Sequence, residues 1–130
     1  YSFNYSNDFI YEKSSTPTEG VIETLYFNTK KPANDENNVF IASLSNLNLE
    51  TEKSNLTQED ESYSSKPSFS TKTVNGNKVT SGETVISQDG QVIYRLYVAL
   101  IPIGNRTLRF IADIENKATV DKVLATLQTK

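Results

Sequence analysis

The amino-acid sequence predicts an α+β fold: a twisted antiparallel β-sheet of six to seven strands with a C-terminal amphipathic helix on one face. Three observations carry that expectation. Asn75-Gly76, Asp89-Gly90 and Gly104-Asn105 each separate β-rich runs, and such pairs mark hairpins because their central residues accept positive φ. Gln91–Ile101 is apolar on both alternating faces, as a central strand covered on two sides must be. Val120, Val123, Leu124 and Leu127 follow the i, i+3, i+4, i+7 spacing of a single helical stripe.

Along the chain, Tyr1, Phe3 and Tyr5 alternate with Ser2, Asn4 and Ser6, the period-2 pattern of a half-buried strand. Asn7-Asp8 reads as a turn, with Phe9 and Tyr11 extending a second short strand. Val21–Thr29 and Val39–Leu47 alternate in the same way, on either side of a polar connector over residues 30–38. Residues 48–67 fit two descriptions equally well. One is a short helix near 56–64, capped by Asn55 with Gln58 three residues on, and with Glu59, Asp60 and Glu61 in its first turns. The other is an irregular loop. Four strands then follow over Ser68–Val74, Lys78–Ser87, Gln91–Ile101 and Arg106–Glu115, and a helix over Asn116–Lys130, capped by Asn116 or Thr119, closes the chain. The expected core comprises Phe3, Leu25, Phe27, Ile41, Val92, Leu96, Val98, Leu108, Phe110, Val120, Val123, Leu124 and Leu127.

Composition narrows the chemistry. The chain has 130 residues, one domain's worth, so 1–130 is read as a single domain. It contains no His and no Cys, which removes disulfides, thiolate nucleophiles, Cys/His zinc sites and His-based catalytic triads. The net charge of −3, with its cations scattered, argues against nucleic acid or an anionic membrane surface as partner. No apolar stretch is long enough for a transmembrane segment. No cofactor motif appears: the five glycines form no phosphate-binding loop. Glu50, Glu52, Glu59, Asp60 and Glu61 are oxygen ligands in kind, but they match no calcium-loop spacing and read as a solvated face. Asp113 is the one acid within an apolar run, expected to turn outward or to pair with Arg109 or Arg95. Sequons at Asn4, Asn55 and Asn105 are what chance supplies in a chain rich in Asn, Ser and Thr.

Three stretches carry a family likeness: the opening Tyr1-Ser2-Phe3-Asn4-Tyr5-Ser6-Asn7-Asp8-Phe9, the middle Val74-Asn75-Gly76-Asn77-Lys78-Val79, and the hairpin and helix from Tyr97 to Leu127. In these the chain resembles the PsbP-like α/β/α-sandwich superfamily, which includes thylakoid-lumen PsbP proteins, the Ran-binding Mog protein and bacterial lipoproteins of unassigned function. Ser6-Asn7-Asp8-Phe9 stands where that family has a Pro-x-x-Trp, and without His no metal site carries over. The resemblance implies a non-catalytic accessory or binding domain, the soluble part of an exported bacterial lipoprotein. Its place would be extracytoplasmic, held by a lipidated Cys upstream of Tyr1, with another protein or a surface component as partner. One alternative is a carboxylate-based glycan-active enzyme using Asp113, Glu115 and Glu83, which must then face one cleft. Another is a cytosolic GTPase-regulator-like binding protein. The expected partner surface is the sheet face away from the C-terminal helix, rimmed by Tyr63, Glu59, Asp60 and Glu61.

Overall fold

The computed structural model describes residues 1–4, 10–13, 21–28, 38–59, 63–65 and 68–129. Among these residues nine strands form one antiparallel sheet: β1 (Ile10–Lys13), β2 (Val21–Asn28), β3 (Asn38–Ser45), β4 (Gln58–Glu59), β5 (Tyr63–Ser65), β6 (Ser68–Val74), β7 (Asn77–Gln88), β8 (Gln91–Ile103) and β9 (Arg106–Asp113). Their order is β1-β2-β3-β9-β8-β7-β5-β4, with β6 also on β7. Ser65 faces Ile86 and Ser68 faces Glu83, so β5 and β6 continue one register along the outer edge of β7. Only six strands have seven residues or more, within the range expected of the sequence. The hairpin turns form where expected: Asn75 and Asp89 hold φ of 51°, and the glycines that follow them hold 81° and 80°.

Helix α2 (Lys117–Leu124) covers one face of the sheet. Val120, Val123, Leu124 and Leu127 pack there against Tyr97, Ala99 and Ile101 of β8 and Leu108, Phe110 and Ala112 of β9. Phe27 and Phe40 stack at 4.4 Å, Phe40 lies 6.1 Å from Phe110, and Phe3 completes the group at 5.5 Å from Phe110. The helix is shorter than expected and follows a 3-10 turn, Ile114–Asn116. Leu127 stays buried past its end because the Asn75 and Asn77 side-chain amides both donate to its carbonyl at 2.9 Å.

The other face carries α1 (Leu49–Asn55). This corrects the helix expected near 56–64, where Gln58–Glu59 and Tyr63–Ser65 are short strands instead. Asn48 is the cap, its side-chain oxygen accepting the Thr51 N–H at 2.9 Å, and Asn55 ends the helix. The residue that anchors α1 is an acid, so a search for apolar residues could not find it. Glu52 is 2% exposed, accepts the Ser45 hydroxyl, and meets the Arg109 guanidinium at 3.3 Å. Arg109 alternates with Leu108 and Phe110 along β9, which sets α1 and α2 on opposite faces. The Thr107 hydroxyl donates to the Leu47 carbonyl at 2.9 Å and ties the start of α1 to the same strand.

Of the expected core, Phe27, Val98, Leu108, Phe110 and the α2 stripe are buried, and Phe3, Leu25, Ile41 and Leu96 are partly so. Val92 departs, at 51% exposed.

Two substitutions test this packing. At Gly82 of β7 a Cβ would collide with the Ser68 carbonyl of β6, so Gly82→Ala is expected to cost roughly 1–3 kcal/mol in urea unfolding. An unchanged midpoint would show that β6 yields. Glu52→Ala strands the Arg109 guanidinium, whose Nε is already buried without a partner among the described residues. Its expected cost is about 2 kcal/mol, below the fully buried case because Arg109 is partly exposed, and Arg109→Leu in the same chain should recover part of it.

Candidate functional site

Strand β8 has two halves with different surroundings. From Leu96 to Ile103 it pairs with β9 on one side and, through Leu100, with β7 on the other, and Tyr97–Ile101 are buried. From Gln91 to Arg95 it pairs with β7 alone among the described residues, because β9 ends at Asp113 opposite Leu96. In that half Val92, Ile93 and Tyr94 are 51%, 46% and 58% exposed, and Val85 on β7 is 37% exposed. The register slips between Ile86 and Ser87, so Ile93 is the extra residue of a β-bulge. Large apolar side chains gathered on one exposed hairpin end mark a contact surface more often than scattered ones do.

Where β9 stops, the chain turns into Ile114–Asn116 and walls off a shallow notch. The notch measures about 410 Å³ and is lined by Val92–Arg95 on one side and Asp113, Ile114 and Glu115 on the other. Arg95, Asp113 and Glu115 are exposed and have no ion-pair partner among the described residues. Asp113 therefore turns outward, and Arg109 goes to Glu52 on the α1 face instead. Of the three acids considered for glycan chemistry, Asp113 and Glu115 share the notch, whereas Glu83 pairs with Lys117 at 3.5 Å.

Glu59 lies on β4 opposite Ser64, and Tyr63 lies on β5 opposite Gln88, which pairs in turn with Gln91. Both belong to the same end of the sheet as the bare half of β8. Asp60 and Glu61 lie outside the described residues. The sheet face away from α2 is not open along its length: Val98 and Leu100 on it are 1% and 0% exposed. The exposed apolar surface sits instead at the hairpin end, which the sequence reading missed. Alternation alone treats Gln91–Ile101 as one uniform strand and cannot show where its neighbour stops. The available signal was Gln91 and Arg95, polar residues in the first half with no charged counterpart from Leu96 to Ile103.

No family model, curated protein or solved structure matches this chain. Among the described residues no group of three or more His, Cys, Asp or Glu could hold a metal ion, and no helix is long and apolar enough to cross a membrane. Tyr97 sits in a charged cluster, donating to Asp121 at 2.9 Å with the Lys117 ammonium 5.3 Å from its ring centre. Burial, reinforced by the Asp121 carboxylate, pushes its phenol up to about 12, so it stays protonated near neutrality and offers no base there.

That shift has a measurable consequence. Tyr1 is also raised to about 12, by burial and by Glu23. A phenol whose folded pKa exceeds its unfolded value of 10.0 contributes stability that is complete below pH 10 and lost as pH rises toward 12. Stability should therefore be lost across that window, and Tyr97→Phe should flatten part of the fall. Equal alkaline slopes for both chains in pH-dependent urea titrations would contradict the assignment.

Proposed function

We propose that this chain is a non-catalytic binding domain that engages another protein or a surface component through the bare end of the β7–β8 hairpin. The observation that carries it is the half-exposure of Val92, Ile93 and Tyr94 on a strand that is buried from Tyr97 to Ile101. Covering three such side chains contributes on the order of 3 kcal/mol, since full burial of each is worth about 1.5–3. That is too little for tight binding, so the charged notch beside them has to contribute. The lack of His and Cys and the likeness to PsbP-like domains support the same reading. With that likeness goes the proposal of an exported, extracytoplasmic domain anchored by a lipidated Cys upstream of Tyr1.

The test compares the native chain with a Val92→Ser/Ile93→Ser/Tyr94→Ser variant as immobilised bait for membrane and envelope extracts of the source organism. These side chains are exposed, so the variant should keep its fold and its circular dichroism. Capture of a defined partner by the native chain, reduced at least tenfold by the variant, is the expected result. No difference between the two baits would overturn the proposal.

A further inference from the structure

The notch lies where β9 would continue past Asp113 along β8. Five residues, Gln91–Arg95, present an edge of β8 with no paired strand among the described residues, in line with β9 and starting where β9 leaves off. An uncovered edge offers main-chain donors and acceptors to an extended segment of another chain. Resting on the binding reading above, we infer that this edge accepts an extended segment of a partner protein, antiparallel to β8, that carries an acidic residue followed by a basic one.

The register sets that order. The first residue of an added strand lies opposite Arg95, whose side chain shares the α2 face with Val85 across the β7 pairing. Arg95 has no ion-pair partner among the described residues, so an acid is favoured there. The second residue lies opposite Tyr94. Its side chain falls on the α1 face, two positions further along the same line as Asp113, which is paired with Leu96. A Lys or Arg there meets the Asp113 carboxylate and the open ring of Tyr94, which is 58% exposed. Beyond this point the bulge at Ile93 breaks the ladder, so the remaining contact is with Ile93 and Val92 and favours apolar residues.

A second copy of this chain is a poor occupant. Pairing two β8 edges about Ile93 would drive the Asp89-Gly90 turn of each copy into the end of β9 in the other. There Asp89 would meet Asp113 and Glu115, all of one sign.

The experiment uses two fluorescein-labelled peptides of identical composition, Glu-Lys-Val-Thr-Val and Lys-Glu-Val-Thr-Val, read by fluorescence anisotropy on the full chain. The Glu-Lys peptide is expected to bind at least tenfold more tightly and to slow amide exchange at Val92–Arg95. An Arg95→Glu/Asp113→Lys variant, altered only at exposed side chains, should invert the preference. Equal affinities, no saturable binding of either peptide, or an order unchanged in the variant would overturn the inference, as would a concentration-dependent dimer in sedimentation that Ile93→Asp abolishes. If these fail while capture in the preceding section still depends on Val92, Ile93 and Tyr94, the binding reading stands and the strand-addition mode falls.

Discussion

The ladder between β3 and β9 is the interaction on which the other arrangements depend. The first three strands and the β6–β9 meander are each built from neighbours in sequence. Among the described residues only the pairing that runs from Ile41–Ile111 to Ser45–Thr107 makes them one sheet. It brings Phe40 and Phe110 into a single aromatic group on the α2 face. On the α1 face it sets Ser45 and Arg109 where Glu52 can reach both. Residues 62 to 70 positions apart must meet before either layer can pack, so chain entropy opposes this closure more than it opposes the local hairpins.

How much of this was legible in the sequence depended on how far the deciding contact reaches. Asn75-Gly76 and Asp89-Gly90 announce their turns because the backbone demand is local, and both formed as read. Val120, Val123, Leu124 and Leu127 announce a helical stripe for the same reason. Helix α1 was misplaced because its anchor is a buried carboxylate whose partner lies fifty-seven residues away. Asn48 and Asn55 are equally good caps in isolation, and the contacts of Glu52 with Arg109 and Ser45 distinguish them. Val92 was misassigned to the core on the same account: its environment depends on the length of β9 and not on its own pattern.

Strand β8 thus divides the molecule between stability and recognition. From Leu96 to Leu100 it is paired on both edges, and Tyr97, Val98, Ala99, Leu100 and Ile101 are at 2% exposure or less. Among the described residues its first half is paired with β7 alone, with β5 backing β7 at Ile86–Gln88. Exposed apolar residues on such an edge invite aggregation, and the bulge at Ile93 is the kind of irregularity that limits open-ended pairing.

The two ends of the described chain meet in one antiparallel bridge, with Ser2 and Gln128 exchanging both backbone hydrogen bonds at 2.8 Å. Asn4 reinforces it, its N–H donating to the Thr126 hydroxyl at 2.8 Å. Because the two strands of this clasp run in opposite senses, a tensile load applied through both termini parts these bonds one after another, as a zipper opens, and does not shear them together. Mechanically, the molecule is compliant at its ends while its long ribbon is shielded from the load. The same adjacency makes the path of the backbone nearly a closed ring, so a short linker joining the ends would span little distance and leave the sheet order intact.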